Sequence, residues 1–126
     1  MTLCDSNVFI ELFSANRNTL YDMERIGSSN IVASPITLME LFVGASNKDE
    51  LKKIKKDMRP FRTEYVDEEI SRRAIELTER YAKSHGLDIP DALIAATGLT
   101  RDFELFTYNT KDFRFIDGIK LYEHSE

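Results

Sequence analysis

A chain of 126 residues, 42% apolar and 31% charged, with five Gly and three Pro, has the make-up of a globular protein long enough to bury a core, not of a disordered or fibrous segment. A lone cysteine, Cys4, excludes an internal disulfide framework, and no run approaches the ~18 apolar residues of a membrane span, so one cytoplasmic domain over residues 1–126 is expected. The net charge of −5 argues against nucleic acid as a partner, yet Lys48 to Arg62 holds seven basic against three acidic residues, a local +4 that leaves −9 to the rest.

In chain order, Thr2 to Cys4 reads as a first strand, and Asp5 follows it directly in Asp5-Ser6-Asn7-Val8, where the chain turns into a helix begun by Val8, Ile10, Leu12 and Phe13. At that position an aspartate either emerges at the carboxyl edge of a sheet or caps the helix. Leu20, Met23 and Ile26 mark a second helix, and Ile31 to Ala33 a second strand. Ser34 before Pro35 supplies the N-cap and first-turn proline of a third helix, apolar almost all round from Ile36 to Ala45 and therefore expected to be largely buried. Its one acid, Glu40, shares a stripe with Thr37 and Gly44, which predicts a carboxylate in a groove of small residues, or else a solvent edge.

Leu51, Ile54 and Met58 then recur at helical spacing, leaving Lys48, Lys52, Lys55, Lys56 and Arg59 on the other side as a candidate path for nucleic acid, or as an ordinary solvated face. Arg62 to Val66 reads as a third strand, and Ile70, Ala74, Leu77 and Tyr81 as a helix ending at His85-Gly86, a cationic last turn and glycine cap that make His85 a poor candidate base. Asp91 follows Pro90 in the first turn of the next helix, with Ala95 and Gly98 below it as a small-residue stripe turning it inward. Glu104 to Thr107 is a fourth strand, Asp112 lies in the loop beyond it, and Lys120 to Tyr122 is a fifth strand after an Asp117-Gly118 turn.

Alternating strands and helices imply an α/β fold, a three-layer arrangement with a central parallel sheet of four to five strands flanked by helices. Four distant segments then deliver Asp5, Glu40, Asp91 and Asp112 to one edge of that sheet. Carboxylates so gathered raise one another's pKa unless a cation neutralises them, and an all-oxygen set suits Mg2+ or Mn2+ rather than zinc. Cys4, with no basic partner nearby in sequence, reads as a buried structural thiol.

The segments Leu3-Cys4-Asp5-Ser6-Asn7-Val8-Phe9-Ile10, Glu40 on the third helix, Ile89-Pro90-Asp91-Ala92-Leu93-Ile94-Ala95-Ala96-Thr97 and Thr107-Tyr108-Asn109-Thr110-Lys111-Asp112-Phe113 make the chain resemble a PIN domain of the VapC toxin type across nearly its whole length. The resemblance implies a metal-dependent endoribonuclease, with Asp5, Glu40 and Asp91 on the metal, Asp112 a fourth acid reaching it more often through water, and Ser6, Thr107 and Asn109 at supporting polar positions; together with Asn7 these are expected to fix the carboxylates. It further implies an RNA substrate, a homodimer and a small antitoxin that places a basic side chain in the acidic pocket. Ser6, Gly98 and Tyr108 depart from the family's commoner residues, which bears on substrate contacts rather than on the acids. The rival readings are a PIN nuclease of RNA processing, a regulatory module that binds nucleic acid or a partner without cleavage, and a phosphotransferase using Asp5 as nucleophile; the last lacks an acid at Asn7.

Overall fold

Four short strands, β1 (Thr2–Cys4), β2 (Ile31–Ala33), β3 (Arg62–Thr63) and β4 (Glu104–Phe106), form a parallel sheet in the order β3-β2-β1-β4 in the computed structural model, which describes residues 1–126. The register sets Leu3 opposite Val32 and Leu105, and Cys4 opposite Phe106. Parallel neighbours need crossovers, supplied by α1 (Ser6–Phe13) and α2 (Arg17–Ile26) between β1 and β2, α3 (Pro35–Val43) and α4 (Lys48–Met58) between β2 and β3, and α5 (Glu68–His85) and α6 (Ile89–Arg101) between β3 and β4. Because β2 and β4 flank β1 on opposite sides, the chain reverses direction across the sheet at β1, and the crevice beyond its carboxyl end is where α/β folds bind ligands.

The two central strands, β1 and β2, are buried at every position, so they carry Leu3, Cys4, Ile31, Val32 and Ala33 in unbroken runs rather than alternating, whereas β3 and the start of β4 are polar and more exposed. Leu3, Val32 and Leu105 pack with Ile70, Leu77, Ile94 and Phe113 on one side; Cys4, Ile31, Ala33 and Phe106 pack with Val8, Phe9, Met23 and Leu41 on the other. Helix ends follow the local chemistry. Ser34 Oγ accepts from Ile36 N at 3.2 Å, Asp67 caps α5, and Gly86, with φ +70°, closes α5 in the left-handed region that a side chain disfavours. His85 is exposed there and stacks on Phe115 at 4.4 Å, a cap residue as expected.

Three expectations are corrected. The third strand stops at Thr63: the Glu64 amide makes one last bond, to the Ala33 carbonyl at 2.9 Å, and its side chain pairs with the Arg101 guanidinium at 3.1 Å. The fifth is a single bridge, Leu105 to Leu121, since the chain then peels away to bond half-buried Tyr122 and Ser125 to the buried Asp22. Helix α3 is not largely buried: only Thr37 and Leu41 are, while Met39 is 55% and Val43 86% exposed, an apolar face that this chain does not cover. A methyl on Gly98 would meet the Phe103 carbonyl at an ordinary 3.6 Å, so Gly98 is not needed for close packing of α6.

Candidate active site

Asp5 is 6% exposed at the end of β1, and it caps α1 as well as facing the crevice. One oxygen, Oδ1, accepts from the Ser6 amide at 2.8 Å; the other accepts from the Thr107 hydroxyl at 2.9 Å. Thr107, fully buried just past β4, is the hub of this corner: its Oγ1 also accepts from Asn7 Nδ2 at 3.3 Å and from the Asn109 amide at 3.1 Å. Asn7 Oδ1 in turn accepts from Tyr108 N at 3.1 Å, tying α1 to the segment after β4. The Ser6 amide and the Thr107 hydroxyl thus hold the two oxygens of Asp5, and Asn7 reaches the carboxylate only through Thr107. Asn109 contributes its backbone, its side chain being exposed and bonded to none of the acids.

Glu40 lies two turns into α3, exposed on the wall of the groove between α1 and α3, and Asp91 sits half-buried in the first turn of α6. Asp112 ends an exposed turn beyond β4. All four acids are brought to the carboxyl end of the sheet within electrostatic reach. Burial raises the Asp91 carboxyl to about 7, with Asp88, Asp5, Asp112 and Glu40 adding to it. Burial also raises Asp5, against the pull of the Ser6 and Thr107 hydrogen bonds and with help from Asp112 and Asp88. Glu40 rises through burial, Asp5 and Asp88, opposed by the Ser6 hydroxyl.

A fifth acid, missed in the sequence, belongs to this group. Asp88 caps α6, accepting from Asp91 N at 3.0 Å, and acts on Asp5, Glu40 and Asp91. Its signal is the spacing Asp88-Ile89-Pro90-Asp91, an N-cap acid three residues before another acid with a proline between.

Every ion pair of the molecule lies elsewhere, so no lysine or arginine neutralises these carboxylates. Nor do three of them close around a single point at ligating distance. An electronegative crevice walled by oxygens and lacking a compensating cation fits a hard divalent ion, with Asp5, Glu40 and Asp91 as the residues able to hold it.

The basic residues of α4 are placed less simply. Lys48, Lys52, Lys55, Lys56 and Arg59 are all exposed, but the residues of α4 that line the groove beside Glu40 are Glu50, Lys53, Ile54 and Asp57. Lys53, absent from the expected path, is the groove's cation, and Asp57 holds it at 2.9 Å.

Comparison with known proteins places the fold in a family. A family model described as PIN domain matches residues 2–119. The chain is 31% identical to Ribonuclease VapC10 of Mycobacterium tuberculosis over 124 residues, 95% of this chain and 91% of the relative. Among solved structures it is similar to a toxin-antitoxin complex from Klebsiella pneumoniae, at 33% identity, a TM-score of 0.81 and coverage of 98% and 99% of the two chains. It also has the fold seen in VapBC2 of Rickettsia felis bound to a promoter DNA fragment, at 22% identity, a TM-score of 0.82 and 98% of each chain. A central parallel sheet with acids at its carboxyl end, a family match over almost the whole length and a ribonuclease relative lead to one assignment: the chain belongs to the PIN domain family, as a metal-dependent nuclease homologous to the VapC ribonucleases of toxin-antitoxin systems.

Proposed function

We propose that this chain is an endoribonuclease that binds Mg2+ or Mn2+ through Asp5, Glu40 and Asp91, hydrolyses RNA phosphodiester bonds, and serves as the toxin of a toxin-antitoxin pair. The observation carrying this reading is the uncompensated acidic crevice at the end of β1, with Asp91 raised to about 7. A bound divalent ion supplies an activated water and charge stabilisation at the scissile phosphate. The chain's own part is orientation: Thr107 and the Ser6 amide fix the two oxygens of Asp5, Asn7 braces Thr107, and Asp88 holds the turn that presents Asp91. Asp112, on a turn of its own, suits an outer role toward water or a second ion.

A cognate antitoxin would fit the groove between α1, α3 and α4, a cavity of about 440 Å³ bounded by Ile10, Phe13, Leu41 and Ile54, with Glu40 on its wall to receive a basic side chain. Similarity to a VapC ribonuclease and to a chain of the Klebsiella pneumoniae toxin-antitoxin complex supports the toxin role.

The test is cleavage of single-stranded RNA by the purified chain under titration with Mg2+ or Mn2+. Asp5→Asn, Glu40→Gln and Asp91→Asn should each lose at least about 100-fold in rate, the several kcal/mol that metal-borne stabilisation is worth, with circular dichroism unchanged. Asp112→Asn should lose less. Near wild-type cleavage by any of the first three removes that residue from the site; cleavage undiminished in a chelator overturns the metal reading.

A further inference from the structure

The geometry points to a second, base-binding pocket beside the acids: the polar cavity of about 310 Å³ bounded by Asn7, Glu11, Asn16, Asn18 and Tyr108 takes an unstacked RNA base flanking the scissile phosphate, with guanine preferred. This rests on the nuclease reading above and names what that reading leaves open, the source of sequence preference.

The cavity adjoins the acids without being part of them. Its wall residue Asn7 donates to Thr107, and Thr107 donates to Asp5, so the pocket stands two hydrogen bonds from the carboxylate, within the reach of one nucleotide. Asn7 and Glu11 lie four residues apart on α1 and share a face, while Asn16 and the exposed Asn18 come from the start of α2. The wall is held in place before any ligand arrives. Tyr108 is fixed through its amide by Asn7, through its hydroxyl by Thr19 Oγ1 at 2.5 Å, and by edge contact of its ring with His124 at 4.8 Å. A preset wall lowers the ordering cost of binding.

The chemistry selects a base over a phosphate. No lysine or arginine lines the cavity, and its charged members are the carboxylates Glu11 and Glu126, which repel an anion and accept from N–H groups. Glu11 Oε2 accepts from Asn16 Nδ2 at 3.2 Å, which steadies the carboxylate while leaving Oε1 and the second lone pair of Oε2 to accept from a ligand. Guanine offers N1–H and N2–H side by side to such an oxygen pair; uracil offers one N–H between two carbonyls that a carboxylate repels. Amides with both donor and acceptor atoms and an aromatic ring complete the equipment by which proteins read splayed single-stranded bases.

Titrating uncharged guanosine and uridine into the metal-free protein, with the side-chain amides of Asn7, Asn16 and Asn18 followed by NMR, isolates the pocket from the metal site. Guanosine should shift these amides at roughly tenfold lower concentration than uridine, the discrimination of one good edge contact, and Glu11→Gln should bring the two within about twofold. Mapping the ends left by cleavage of a random-sequence RNA pool should show guanine enriched at one position next to the cut, with the enrichment reduced in Glu11→Gln and in Asn18→Ala. Equal response to both nucleosides, shifts confined to other amides, or enrichment unchanged in Glu11→Gln overturns the pocket even if the chain cleaves RNA. Guanosine-selective shifts in a chain that cleaves no RNA with either metal would support the pocket and overturn the nuclease reading instead.

Discussion

At the scale of single residues, Asp91 is the acid of the crevice that burial and its neighbours displace furthest. Its carboxyl moves from an ordinary 3.8 to about 7 on folding, so between those values the native chain keeps a proton that the unfolded chain has released. The native state is therefore favoured at the acid end, and metal-free stability should fall as pH rises from about 4 to about 7 and level off above. One proton limits the slope to about 1.4 kcal/mol per pH unit, and solvent screening of a half-buried group keeps it lower. Urea unfolding in a chelator from pH 4 to pH 8 reads this directly: Asp91→Asn should flatten the profile, and Asp88→Asn, which keeps a capping oxygen while removing the strongest neighbouring charge, should shift its midpoint downward. A profile that rises with pH would refute the assignment. Asp5 is legible in the sequence from its place after an apolar strand. Asp88 is not, because a cap acid before a proline turn looks like any helix start until the fold brings it beside the other carboxylates.

At the scale of elements, periodicity identifies the helices because each needs an apolar stripe, and Ser34, Asp67 and Gly86 mark ends that local hydrogen bonding or backbone conformation decides. Periodicity does not say what covers a stripe, and so α3, apolar all round, reads as buried although its Met39–Val43 side is open. Nor does alternation distinguish a strand from a tail that only crosses a sheet edge. The segment from Leu121 onward is held by side chains instead: Tyr122 Oη donates to Asp22 Oδ1 at 3.0 Å, and Ser125 N donates to Oδ2 at 2.9 Å, with Asp22 fully buried. Asp22→Ala should take the charged acceptor away from these half-buried donors and lower stability by about 2 kcal/mol, measured by urea unfolding; loss under about 0.5 kcal/mol would show that the tail contributes little. For α4, converting Lys52, Lys55 and Lys56 to Gln should weaken RNA binding and flatten its log-log salt dependence by up to roughly 0.7 per lost phosphate contact. An unchanged slope would assign that face to solvent, as the groove-facing position of Lys53 already suggests for part of the path.

The whole molecule leaves an apolar surface that a chain with 31% charged residues has no reason to expose for itself. Met39 and Val43 on α3 and Ile89 and Leu93 on α6 border a shallow cavity of about 590 Å³, and Ile75 on α5, 60% exposed, borders a neighbouring one shared with Ile89 and Leu93. Apolar residues from three helices make a continuous face of the kind a second copy covers, since a twofold contact lets one patch serve as its own complement. Helices α3 and α6 also carry Glu40 and Asp91, so burying their outer sides steadies the elements that present two of the acids. Placing charges there should separate the copies without harming the fold, because Met39 and Val43 are 55% and 86% exposed in the single chain. On the proposal that a second copy covers this face, the wild type is expected to sediment as a dimer and the double variant Met39→Asp, Val43→Asp as a monomer at the same concentration, with its Kd for self-association raised at least about 100-fold. Its RNA cleavage should fall as well, and recover in part at high Mg2+ as metal replaces packing in holding Glu40 and Asp91 together. A wild type that sediments as a monomer at every concentration, or a double variant that still dimerises, would move the self-association surface away from α3 and α6.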